Sequence, residues 1–149
     1  MCVFIEIKLP GYPREEAGQL SKDVVNRGLL EICAQRQPRG EKGSRFLLGP
    51  SDHPCACGLG ADRVDETGDR LQFDQLHIEK IEAVLRYLSS RAGAAGLRVR
   101  AWFEGGTHDR IPRRAEQKAS VDDLIDKLRH DRLGGNVCYH ISGSRLTTA

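Results

Sequence analysis

The sequence predicts an α+β fold whose core resembles a ferredoxin-like split βαβ arrangement (βαββαβ), with a helix and a strand appended at the C-terminal end. Stretches in which every second residue is apolar, typical of strands, are interspersed with stretches in which apolar residues recur every three or four positions, typical of helices. The chain has 149 residues, the length of one domain. Its 30% charged and 39% hydrophobic residues exclude disordered and collagen-like proteins.

The first four predicted elements are a strand, a helix and the two strands of a hairpin. Apolar residues alternate over 2–9, which predicts a strand with one face on the core. Two glutamates in the first turn and apolar residues at helical spacing predict a helix over 13–27. The short apolar runs 29–34 and 45–48 predict two strands joined by a polar turn.

The next two elements are a long helix and a strand. Asp74 can cap a helix that runs to about Ala92 along one apolar stripe. Residues 97–103 alternate strictly, which predicts a strand. Alternation places Trp102 on the face opposite Leu97, Val99, Ala101 and Phe103. We therefore expect Trp102 to lie at a contact or in a pocket and not in the main core.

The appended unit is the last helix and the last strand. Ser120 and Asp123 have the spacing of a capping box, which predicts a helix that begins directly after Ser120. Residues 137–141 alternate and predict the final strand.

All of these elements are expected to form one domain over residues 1–141, followed by a frayed tail over 142–149. Two long connections interrupt the domain. The loop 49–72 exceeds the usual length, so it is functional, partly disordered or contains a small strand. The second connection is a polar, basic loop over 105–119.

Composition and motifs narrow the classes of function. The formal net charge is +2, too close to neutral to select nucleic acid or a membrane as partner. The sequence contains no P-loop, dinucleotide-binding, zincin or nucleophile-elbow motif, so whether the protein is an enzyme stays open. It has no long apolar segment, and its five cysteines form an odd set without a disulfide framework. We therefore expect a cytoplasmic protein that does not bind membranes.

The strand pattern predicts a first candidate site on a sheet face. If the strands predicted over 2–9, 97–103 and 137–141 share a sheet whose helices lie on one side, the other side presents aromatic and basic side chains. These are Phe4, Lys8, Arg98, Arg100, Trp102 and His140. Such a face suits a protein partner or a second copy of the chain first, and a small anionic ligand next. Nucleic acid ranks below these, because only 5% of the residues are aromatic. It ranks equally with a face that is simply covered by the appended C-terminal unit.

The basic loop is a second candidate site. Arg110, Arg113 and Arg114 follow a flexible pair of glycines and could hold a phosphate or carboxylate group. A solvated surface loop is the simpler interpretation, because nearby acidic residues offset part of the charge.

The third candidate site is a metal or thiol site at His53, Cys55 and Cys57. Residues two apart in an extended segment point the same way, so the three side chains could face one zinc ion. A structural zinc site needs a fourth ligand from elsewhere in the fold. The alternatives are a thiol redox pair, and a pair of cysteines that is simply packed beneath the long loop.

Overall fold

The computed structural model of the chain describes residues 2–56, 63–64, 70–104, 115–130, 132–135 and 137–143. These residues form a mixed α+β structure with a six-stranded sheet, a three-stranded sheet and three α-helices. The predicted α+β class is therefore confirmed. Within the described residues, no helix has the length and apolar character needed to span a membrane.

The strands and helices are numbered in chain order. Their bounds are β1 Cys2–Leu9, α1 Ala17–Asn26, β2 Ile32–Gln35, β3 Ser44–Leu48, β4 Arg63–Val64, β5 Arg70–Gln72, α2 Gln75–Arg91, β6 Leu97–Glu104, β7 Ala115–Ala119, α3 Val121–Arg129, β8 Leu133–Gly134 and β9 Val137–Ile141. Single 3₁₀ turns at Arg14–Glu16 and Gly93–Ala95 precede α1 and β6.

The large sheet has the strand order β2-β3-β1-β6-β9-β7. All neighbouring strands are antiparallel except β7 and β9, which run parallel. Strands β1, β6 and β9 share this sheet, which meets the condition on which the candidate site on the sheet face depended. The small sheet has the order β4-β5-β8. It is tied to the large sheet by the backbone N–H of Gly134, which donates a 2.9 Å hydrogen bond to the hydroxyl of Tyr139.

The hydrophobic core lies between one face of the large sheet and the three helices. Odd-numbered residues of β1 point into it, and Ile7 and Leu9 are fully buried there. Leu20 of α1, Leu85 of α2 and Leu124 of α3 are each at most 1% exposed in the same cluster. The helices therefore cover a single face of the sheet, and we call the opposite face the outer face.

Several element boundaries differ from the sequence expectation. Helix α1 begins at Ala17 and not at residue 13, because residues 14–16 form the 3₁₀ turn. Strand β2 begins at Ile32 and not at residue 29, since Leu29 and Leu30 pack against the core without pairing in the sheet. An apolar run thus marks burial here, but not the start of the hydrogen-bonded ladder.

The two predicted loops also contain strands. Residues 115–119, expected to be part of the basic loop, form β7 at one edge of the large sheet. Four of its five residues are exposed, so no apolar alternation marks this strand in the sequence. The long loop 49–72 contains β4 and β5, which are too short to give a periodic signal.

Candidate functional site

The register of the large sheet aligns basic side chains of the outer face into one row perpendicular to the strands. Neighbours in register are Arg45 with Lys8, Lys8 with Arg98, Arg98 with His140, and His140 with Lys118. We call these five residues the basic row. It crosses β3, β1, β6, β9 and β7, a span of about 19 Å at the usual strand spacing of about 4.8 Å.

The positive charges of the basic row are neutralised by carboxylates of the protein at its β3–β1 end, but less so at its β6–β9–β7 end. Lys8 Nζ lies 2.9 Å from Glu41 Oε2, and Arg45 pairs with Glu6, so the β3–β1 end is neutralised within the protein. At the other end, Arg98 and Lys118 are exposed, and neither forms an ion pair with any side chain that the structure describes. The cations at the β6–β9–β7 end are thus available to a ligand.

A second row, two residues further along each strand, is built around a buried carboxylate. Glu6 is 4% exposed, and its Oε2 accepts a 2.6 Å hydrogen bond from Arg45 Nε. Arg100 Nη2 lies 3.6 Å from the same oxygen, and Arg100 is 6% exposed. Because a buried charge is stable only when it is paired, Glu6 fixes both guanidinium groups on the sheet.

The aromatic pair of the outer face lies beyond this second row. Phe4 and Trp102 are in register on β1 and β6, with their rings stacked at 5.4 Å between centroids and 21° between planes. The Arg100 guanidinium carbon lies 4.3 Å from the Trp102 ring centroid. The Trp102 ring is therefore already engaged by the protein's own side chains, an arrangement less suited to stacking on a nucleic-acid base than an open ring.

His140 lies in the middle of the available end of the basic row. Its Nε2 is 3.7 Å from Glu116 Oε1 on β7, too long for a hydrogen bond but close enough for an ion pair when the ring is protonated. Its side chain is 32% exposed, whereas Cys138, on the same face of β9, is buried. His140 thus lies between Arg98 and Lys118, with its Nε2 buried on the side of Glu116 and without a hydrogen-bond partner among the described residues.

The structure brings most of the predicted sheet-face residues together, and Trp102 lies opposite the buried Val99 as expected. Arg100 differs, since it is buried beside Glu6 and not displayed to solvent. Sequence reasoning did not name Glu6 and Arg45 as site residues, and it assigned Lys118 to the basic loop. The predicted anion ligands Arg110, Arg113 and Arg114 of the basic loop lie outside the described residues.

The predicted metal site lies at a separate cavity of about 330 Å³ beside the ends of β2 and β3. His53 is exposed and Cys55 is half-buried at its wall. The backbone at Gly49, whose φ is 142°, passes close to Cys55. A Cβ at this position would lie 2.5 Å from the Cys55 carbonyl oxygen. No group of three possible metal-ligating side chains occurs among the described residues. Cys57 lies outside them, so the zinc hypothesis stays a prediction.

Comparison with protein families, curated proteins and solved structures gave no match to this sequence.

Proposed function

We propose that this protein is a binding module that holds an anionic ligand, bearing phosphate or carboxylate groups, at the β6–β9–β7 end of the basic row. One observation carries the proposal: the register puts Arg98, His140 and Lys118 side by side on three neighbouring strands. Regular strands hold these three groups more rigidly than a loop would, which lowers the entropy lost when a ligand binds.

The chemistry of the three side chains fits such a ligand. An arginine guanidinium binds carboxylate or phosphate through two parallel hydrogen bonds, and a lysine adds a compact charge. Arg98 and Lys118 are separated by two strand spacings, about 10 Å. This separation suits a small molecule that carries two anionic groups, or one anionic group placed beside His140.

We infer in addition that the first part of the chain has the ferredoxin-like core expected from the sequence. Support comes from the order β2-β3-β1-β6, in which each neighbouring pair is antiparallel, and from α1 and α2, which connect β1 to β2 and β5 to β6. In a split βαβ core the two central strands are the first and third, here β1 and β3. Strands β9 and β7 then extend this core beside β6.

The test is binding of inorganic phosphate and of citrate, measured by isothermal titration calorimetry. The variant is Arg98→Ala/Lys118→Ala. Its control is Arg14→Ala/Lys80→Ala, which removes the same charge from exposed positions outside the outer face. We expect the parent and the control to bind citrate more tightly than phosphate, and the row variant to lose at least about tenfold in affinity, as for one lost charge-assisted contact.

The proposal also predicts that affinity falls as salt rises, because the cations are exposed. Equal loss of affinity in the row variant and the control would show that net charge alone attracts the anion. Failure of the parent protein to bind either anion at low ionic strength would contradict the proposal.

A further inference from the structure

The cavity beside the ends of β2 and β3, here called the β2–β3 cavity, has the size and the walls of a small-molecule site. Its volume of about 330 Å³ lies within the range of about 300–1,000 Å³ that is usual for such sites. The apolar residues Leu30, Leu48 and Pro50 line it. Leu30 is half-buried and Pro50 is exposed, so apolar surface remains accessible there. These walls favour a ligand with an apolar body.

Backbone hydrogen bonds hold the walls of the β2–β3 cavity in place. The Gly49 N–H donates a 2.8 Å hydrogen bond to the Glu31 carbonyl, which joins the ends of the two strands. The Ala56 N–H donates a 2.7 Å hydrogen bond to the Val3 carbonyl of β1. The segment 49–56, which forms one wall, is therefore anchored to the large sheet at both ends. A preformed cavity loses less conformational entropy when a ligand binds.

The charge at the β2–β3 cavity is negative. Of the described residues that line it, Glu31 is the one acidic residue, and none is a lysine or an arginine. Glu31 is exposed and forms no ion pair with any side chain that the structure describes. The cavity therefore combines apolar walls with an unpaired carboxylate, whereas the β6–β9–β7 end of the basic row is positively charged.

We propose that the β2–β3 cavity binds a small organic amine, whose apolar body lies against Leu30 and Pro50 and whose ammonium group pairs with Glu31. A wholly apolar molecule would leave the Glu31 carboxylate unpaired, and an anion would be repelled by it. An exposed ion pair adds a modest preference for the cation, about two- to fivefold in affinity. The site is separate from the proposed anion site and has the opposite charge preference, so either can fail without the other.

The first test is a nuclear magnetic resonance titration of the full chain with three ligands of similar size. Phenethylamine, phenethyl alcohol and phenylacetate share a phenyl ring on a short chain, but they are a cation, a neutral molecule and an anion. We expect the amine and the alcohol to shift the backbone amides of Leu30, Gly49 and Cys55. The amine should bind about two- to fivefold more tightly than the alcohol, and phenylacetate should bind there most weakly.

The variant Glu31→Gln tests the role of the carboxylate in the same titration. It keeps the backbone carbonyl that bonds Gly49, so the walls of the cavity are retained. The affinity for phenethylamine should fall to about that for phenethyl alcohol, whose own affinity should not change. The matched control is Glu16→Gln, which removes an exposed carboxylate at the opposite end of α1 and should leave both affinities unchanged.

Two free cysteines locate the ligand independently. Cys55 lines the β2–β3 cavity, whereas Cys33 does not, and both are half-buried. Their modification by methyl methanethiosulfonate can be followed separately by mass spectrometry of peptides. With phenethylamine at about ten times its Kd, modification of Cys55 should slow by about tenfold, because only the empty cavity exposes the thiol. The rate at Cys33 should not change.

Three results would overturn the proposal. The first is the absence of shifts around the cavity with both the amine and the alcohol. The second is an amine that binds no more tightly than the alcohol, or that loses affinity equally in Glu31→Gln and Glu16→Gln. The third is an unchanged ratio of Cys55 to Cys33 modification, which would place the ligand elsewhere. Binding of citrate at Arg98 and Lys118 is a separate result and does not depend on any of these.

Discussion

Glu6 is the carboxylate that pairs with two arginine side chains of the outer face. Its carboxylate is buried between Arg45 and Arg100, so the variant Glu6→Gln leaves two guanidinium groups near a neutral amide. Removing one partner of a buried ion pair commonly costs about 3 kcal/mol or more. We expect Glu6→Gln to lower the free energy of unfolding by about 3 kcal/mol in a urea titration.

The matched control for this prediction is Glu41→Gln. Glu41 is the partner of Lys8 on the same face, but its side chain is 46% exposed, and exposed ion pairs contribute about 0–1 kcal/mol. Similar small effects in both variants would show that Glu6 does not hold the face together.

Tyr139 is a buried tyrosine whose ionisation is coupled to folding. Burial raises its pKa, and the hydrogen bond from the Gly134 backbone acts in the opposite direction. Because the folded pKa lies above the unfolded value of about 10, the folded protein retains this proton longer. The contribution of Tyr139 to stability is present below about pH 10 and is lost as the pH rises above it.

The variant Tyr139→Phe tests this directly. It leaves the Gly134 N–H without its partner, and we expect a loss of about 1 kcal/mol near neutral pH. Urea titrations at neutral pH and at about pH 11 should show the difference between parent and variant shrinking at the higher pH. A constant difference at both pH values would mean that Tyr139 ionises as easily in the folded chain as in the unfolded one.

Some site residues were predictable from the sequence because their placement depends on a single strand. Alternation alone places Phe4, Lys8, Trp102 and His140 on one face of their own strands. The basic row could not be predicted, since it depends on the register between strands far apart in the chain. Arg45 and Lys118 join it only through the pairing of β3 with β1 and of β7 with β9.

Helix α3 is the element that its own sequence defines most completely. The Ser120 hydroxyl accepts a bond from the Asp123 N–H at 3.0 Å, and the Asp123 carboxylate accepts one from the Ser120 N–H at 2.9 Å. This is the capping box that the sequence predicted. Strand β7, directly before it, has no comparable local signal, because its polar residues lie at an exposed edge.

The capping box satisfies backbone N–H groups in the first turn of α3. We expect Ser120→Ala to lower the free energy of unfolding by about 1 kcal/mol at neutral pH. The exposed Ser142→Ala, which lies outside any helix, is the control and should change stability by less than about 0.5 kcal/mol.

The pH dependence of this loss follows from Asp123. The backbone and hydroxyl bonds of Ser120 lower the Asp123 pKa, so the carboxylate contributes stability above the unfolded pKa of about 3.9. The contribution disappears as the pH falls through the lower, folded pKa. Ser120→Ala keeps the backbone bond to the Asp123 carboxylate, so only the part of the loss that comes from the hydroxyl acting on this carboxylate should shrink in acid. A loss that grows in acid would contradict the capping role.

For the whole molecule, the division between the two faces of the large sheet determines where a ligand can bind. Three helices cover one face, and the core there is closed. The outer face combines a buried ion-pair centre at Glu6 with exposed cations at Arg98 and Lys118. The fold thus separates the residues that stabilise the sheet from those that are available to bind.

The most direct measurement of anion binding is a nuclear magnetic resonance titration of the isotope-labelled protein with citrate. We expect the largest shifts in β6, β9 and β7, at Arg98, His140 and Lys118, and we expect these shifts to weaken as salt is raised. The amides around His53 and Cys55 should not respond. Shifts centred on that cavity, or spread evenly over exposed lysine and arginine residues, would contradict the proposed site.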